Sequence, residues 1–158
     1  MEVFVLARIV HILAIIFWIG GVAMVTTVLI PAIRKDVNNE DKVSTFNMLE
    51  DRFARLVKFA VLLAGASGFY MLYFLDAWQR YTELRHWWLH AMTLVWIIFM
   101  LVLFVLEPLF LKRLFIKYGE KDPVKVMGYT HRLHWVLLGV SVVTIVGAMA
   151  GSHGWFFF

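Results

Sequence analysis

The chain of 158 residues contains no cysteine. That absence excludes disulfides, thiolate metal sites, iron–sulfur clusters and covalent c-type haem attachment. Any metal or haem iron has to be held by His, Met, Asp or Glu. No Gly-rich phosphate loop, serine nucleophile elbow or H-E-x-x-H motif occurs, so hydrolytic and phosphate chemistry lack their residues. The 8 methionines, Met24, Met71, Met92 and Met149 among them, form no M-x-x-M or M-x-M cluster. A secretory leader lacks its parts as well: Glu2 precedes the first apolar run, with no basic start and no A-x-A site. The first apolar run is therefore expected to be retained.

Apolar residues are what the chain has in excess. They make up 62% of it, against ~45–50% in a soluble domain, and the mean hydropathy is +0.79. They fall in blocks of about 20 residues, the length that crosses a hydrocarbon core at ~1.5 Å per residue. The expected fold is all-α: a polytopic membrane protein, a four-transmembrane-helix antiparallel bundle forming one domain over 1–158. The spans are expected at about 3–30, 56–75, 87–111 and 133–150. Pro31 is expected to end the first, because the residue before a proline is pushed away from helix.

Four antiparallel spans put both termini on one side, and Lys and Arg decide which. The first loop and its flanks carry Arg34, Lys35, Lys42, Arg52, Arg55 and Lys58; the third carries Lys112, Arg113, Lys117, Lys121, Lys125 and Arg132. The opposite side has only Arg8, Arg80 and Arg85. This bias places loops one and three in the cytoplasm and both termini outside, in a plasma or bacterial inner membrane. The net charge of +4 reads as this topology signal rather than as a nucleic-acid surface.

Local patterns refine the ends. Val43, Phe46, Leu49, Phe53, Leu56 and Ala60 recur at spacings of three and four and predict one apolar stripe running into span two. Asp122-Pro123 predicts an N-cap and first helical position, so span four starts well before the bilayer; Gly119 is a candidate C-cap for span three. Gly20-Gly21, Ala64/Gly68 and Gly147/Gly151 mark expected close helix contacts, and their faces allow a homodimer. Trp78, Tyr81, Trp87 and Trp88 predict an interfacial aromatic belt.

Ionisable residues at membrane depth are costly, which makes the histidines functional candidates. His11, His90, His86 and His153 fall in the outer layer, His131 and His134 at the cytoplasmic start of span four. Glu107, at the end of span three, needs a buried partner such as Arg132 or a histidine. On one face of span one, His11 is followed by Ala14, Trp18 and Gly21, small and aromatic residues suited to a flat apolar cofactor. Haem iron takes axial imidazole, and two helices of a bundle can each supply one. His11 and His90, on parallel helices at similar depth, suit that geometry. Hydrogen bonds to neighbouring helices are the plainer role for each histidine taken singly.

The first span, His11-Ile-Leu-Ala-Ile-Ile-Phe-Trp18-Ile-Gly20-Gly21, resembles the first helix of a superfamily that includes the CopD copper-resistance proteins and the HemJ-type protoporphyrinogen oxidases. Met48-Leu-Glu50-Asp-Arg52-Phe followed by an apolar helix with Gly68 is similar to the HemJ second-helix entry, and Trp88-Leu89-His90-Ala91 resembles the start of its third. The resemblance implies b-type haem, with His11 as axial ligand and His90 in the site. Where the HemJ pattern has lysine this chain has Met92, which weakens the implied porphyrinogen oxidation and offers a thioether as another iron ligand.

The expectation drawn from residues and resemblance together is a membrane haem b protein acting in electron transfer or redox chemistry, with a quinone or a redox protein as partner. His11, His90, Trp18 and Met92 are its site residues, with His86, His131, His134, His153 and Glu107 as secondary candidates. Whether it is an enzyme, an oxidoreductase of the HemJ type, stays open. A CopD-like copper-binding or copper-transport protein and a structural subunit of a membrane complex are the alternatives.

Overall fold

The computed structural model describes residues 1–35, 42–111, 113, 117–118 and 122–155. Every described element is helical, and four helices are long and apolar enough to cross a membrane. Helix α1 (Glu2–Met24) passes through a π-helical segment, Val25–Leu29, into α2 (Ile30–Lys35). Helix α3 (Lys42–Phe74) is unbroken, and two short 3-10 segments, Trp78–Thr82 and Leu84–His86, lead into α4 (Trp87–Leu101). A second π-helical segment, Val102–Leu111, extends α4, and α5 (Pro123–Ser152) completes the bundle.

Large apolar side chains cover the outside. Leu6, Phe17, Phe59, Leu94 and Val143 are all more than half exposed, as residues in contact with lipid must be. The protein is a multi-pass membrane protein. Its core is correspondingly thin. One cluster joins Trp18, Val22, Val61, Val95, Phe99 and Leu138. A second, at the basic end, joins Val25, Ile30, Ile33, Phe46 and Met127. Helix α1 packs chiefly on α3, and α4 on α5.

The first span does not end before Pro31. A proline inside an α-helix removes an N–H and pushes its ring into the carbonyl four residues back. Widening the turn to i→i−5 relieves that clash. Here Ile30 N–H bonds the Val25 carbonyl, the helix carries on to Lys35, and the span runs Glu2–Lys35. Pro108 is absorbed the same way, inside Val102–Leu111.

Asp122 caps α5 as its sequence predicts. Its Oδ1 accepts from the Lys125 backbone N–H at 3.1 Å, and Pro123 opens the helix. The Lys125 ammonium stands 2.8 Å from Oδ2, and side-chain and backbone bonds from Lys125 hold the Asp122 carboxyl below its ordinary value. Gly119 lies outside the described residues, as does the side chain of Val43. The stripe on α3 is narrower than its spacing suggests. Phe46 and Ala60 are buried, but Leu49 and Leu56 are exposed, and Ala54, Val57, Val61 and Ala64 are buried instead.

Several glycines receive aromatic rings rather than neighbouring backbones. A Cβ on Gly21 would collide with Phe53, on Gly65 with Trp96, on Gly147 with Trp87 and on Gly151 with Trp88. Two members of the expected aromatic belt, Trp87 and Trp88, are thus packed inward, while Trp78 is exposed and stacked on Phe69. Gly20, like Gly128 and Gly139, makes no such contact: nothing lies within 4 Å of a Cβ there. Gly20→Ala is expected to be neutral or to stabilise by up to about 1 kcal/mol, the helix-propensity gain, in a detergent thermal melt. A clear loss would reveal a neighbour on that face.

Candidate functional site

His11, Ala14 and Trp18 share one face of α1, and that face meets α3 where the sequence turns small. Ala14 and Trp18 are 6% and 4% exposed. The His11 ring lies over Gly68, close enough that a Cβ there would sit 3.1 Å from Cε1. Its Nδ1 is 2.8 Å from the Ala64 carbonyl and 3.2 Å from Ser67 Oγ. A carbonyl can only accept, so Nδ1 carries the proton and donates it. The lone pair is then on Nε2. A metal-bound imidazole is oriented in the same way, with its far N–H fixed on a carbonyl. Two turns along the face, Trp18 Nε1–H is buried without an acceptor. An unpaired buried donor of this kind costs ~1–3 kcal/mol.

The other histidines expected in the outer layer engage different elements. His90 is exposed on α4, edge-on to Tyr81 at 5.2 Å between ring centroids. Met92 is half-buried two residues on. His86 stands 3.4 Å from Glu83 and edge-on to Trp88. His153 is exposed, with its Nδ1 donating to the Met149 carbonyl at 2.7 Å. The polar partners of His11 lie on α3, 53 and 56 residues away in sequence.

His131 completes the backbone of the first span. In the π register set by Ile30 N–H to Val25 O, the next donor would be residue 31, bonding the Thr26 carbonyl. Residue 31 is proline and has no N–H. Thr26 is wholly buried, so water cannot substitute. His131 Nε2 stands 3.0 Å from that carbonyl and Arg34 Nη1 3.1 Å from Nδ1. Arg34 can only donate, which puts the lone pair on Nδ1 and the proton on Nε2, aimed at Thr26. Trp135 Nε1 also lies 3.0 Å from His131 Nε2. With the proton on Nε2 that approach is a packing contact, since the opposite tautomer would orphan the carbonyl and turn N–H toward the guanidinium.

His134 and Glu107 belong to a cavity of about 750 Å³ between the helices at the basic end. His134 Nδ1 donates to the Thr130 carbonyl at 2.9 Å, leaving the lone pair on Nε2. Glu107 pairs with Lys58 of α3 at 3.4 Å, not with Arg132, which is exposed. Lys58, Ser67, Arg34 and the carbonyls of Ala64 and Thr26 were invisible as partners in the sequence. A lysine interrupting the apolar run of α3 was the one signal that could have pointed to Glu107.

Comparison with protein-family models, with curated proteins and with solved structures gives no match to this chain. The donor chemistry must therefore speak for itself. A bare metal ion needs several converging side chains, and among the described residues no three His, Asp or Glu gather to hold one. Haem needs less from the protein, an imidazole nitrogen with a held ring, and His11 fits that requirement. The large cavity does not include His11 or His90 in its walls.

Proposed function

We propose that this protein is a membrane haem b protein acting in electron transfer or redox chemistry, with His11 as axial ligand. The observation that carries this reading is the donation from His11 Nδ1–H to the Ala64 carbonyl, which holds the ring and leaves Nε2 basic. The resemblance of the His11–Gly21 segment to the first helix of the HemJ-type proteins supports it. Bound haem would supply one-electron chemistry, at a potential set by the axial ligand and the surrounding dielectric. The chain's own part is to orient the imidazole through Ala64 and Ser67, to seat its edge on Gly68 and to exclude water with Ala14 and Trp18. His90 and Met92 are the candidates for the second ligand. The Lys and Arg asymmetry supports an orientation with loops one and three in the cytoplasm and both termini outside.

The visible spectrum of detergent-purified protein, oxidised and dithionite-reduced, tests this. A Soret band with b-type α and β bands on reduction is expected. His11→Ala and His11→Gln should both lose it. The glutamine variant keeps an N–H for Ala64, so loss of haem there with an unchanged melt separates ligation from folding. A featureless spectrum after expression with ample haem would sink the proposal.

A further inference from the structure

The cavity at the basic end is a built pocket that the haem reading leaves unused. Its volume of about 750 Å³ falls within the ~300–1,000 Å³ of small-molecule sites. Its walls run from Val22, Val57 and Leu103 up to a rim at Asp122 and Lys125. Three phenylalanines, Phe46, Phe53 and Phe99, contribute flat surface. The helices that frame it outrun the bilayer. Helix α3 has 33 residues, about 50 Å at ~1.5 Å each, against a hydrocarbon core of ~30 Å. The apolar floor thus belongs to the membrane and the rim to the aqueous side.

Besides the carboxylates of Glu50, Asp51 and Asp122, two acceptors stand in this wall, His134 and Glu107. His134 has Nδ1 committed to Thr130, so the nitrogen left for a ligand is Nε2, a lone pair. Glu107 Oε2 is buried with no hydrogen bond; the Lys58 ammonium, 3.4 Å away, gives it charge balance only. A ligand that satisfies both must donate twice. A neutral ligand suits the wall, because Glu107 is already balanced by Lys58 and, at the rim, Asp122 by Lys125. It must be lipid-soluble, to fill an apolar floor in a spanning bundle. A flat aromatic head suits the phenylalanines.

We infer that this cavity binds a lipid-soluble aromatic diol of the hydroquinone class, its hydroxyl protons received by His134 Nε2 and Glu107 Oε2. Binding is independent of haem and of His11.

The test compares decylhydroquinone with decylquinone by anaerobic isothermal titration into protein in lipid nanodiscs. The two share shape and lipophilicity and differ by two O–H donors. The hydroquinone is expected to bind at least ~10-fold more tightly, the effect of about one net hydrogen bond or more. His134→Phe should bring it down to the quinone level. Leu103→Trp, which fills the floor, should abolish saturable binding of both. His11→Gln should bind as the parent does, so failure of the haem reading leaves this result standing and the reverse holds too. Equal affinities for the two forms would overturn the inference. So would saturable binding unchanged in Leu103→Trp, competition at equal strength by decanol, which marks an acyl-chain slot, or no binding at all.

Discussion

Replacing His131 with leucine is expected to destabilise the protein by about 1–3 kcal/mol, and adding Pro31→Ala to recover most of that loss. The reason lies in one carbonyl. Thr26 O is buried, the proline at position 31 has no proton to give it, and His131 Nε2–H takes the vacant place at 3.0 Å. With alanine at 31 the widened turn supplies its own donor, the residue 31 N–H, to the Thr26 carbonyl. Pro31→Ala alone should be near neutral, because it removes a ring that the helix had to widen around while making the histidine redundant. The quantity to measure is the coupling in a double-mutant cycle, from reversible denaturation in mixed micelles. If the losses simply add, His131 serves something other than the orphan carbonyl.

Gly65→Ala is expected to be costly where Gly20→Ala is not. Both changes gain up to about 1 kcal/mol of helix propensity. At Gly65 the new Cβ would lie 2.5 Å from Trp96 Nε1 and Cε2, which no side chain tolerates. The indole must swing out, at about 1–3 kcal/mol for overpacking, and it loses the bond from Nε1 to the Val61 carbonyl, about 1 kcal/mol more. The clash outweighs the propensity. A net loss of about 1–3 kcal/mol should appear as a lower thermal midpoint. Trp96→Leu in the same chain should shrink the penalty of Gly65→Ala, since the colliding ring is gone. An unchanged penalty would place the strain elsewhere.

Sequence order made some of this readable. The four spans were legible because length and apolarity alone define a bilayer crossing. The cap at Asp122-Pro123 was legible because its donor, Lys125, is three residues away. Pro31 was misleading for a definite reason: a proline forbids one hydrogen bond, and whether the helix stops or widens depends on what packs around it. Around Pro31 the answer is Phe46 and Met127, packed against Ile30 and Ile33, all distant or ambiguous in sequence. The histidines were legible as unusual but not as partners. His11 finds a backbone carbonyl, which no sequence pattern encodes, and Glu107 finds a lysine on another helix. Spacing placed His131 and His134 on one face of α5, yet one completes a backbone while the other lines a cavity.

The widened turn at Val25–Leu29 also sets an angle. One residue more in a turn rotates everything beyond it by about 100° around the helix axis. Up to Met24 the first span shows α3 the face of His11, Ala14 and Trp18; beyond the π segment it turns Ile30 and Ile33 toward Phe46 and Met127. The same segment ends at the proline whose missing proton His131 replaces. Phase and plug are therefore one piece of construction. Closing this turn to α at unchanged length would swing Ile30 and Ile33 away from Phe46 and Met127, whereas deleting one residue from it would leave their phase nearly as it is. The bundle's lower half is keyed to its upper half by the width of one turn, which takes up a surplus residue without losing the face.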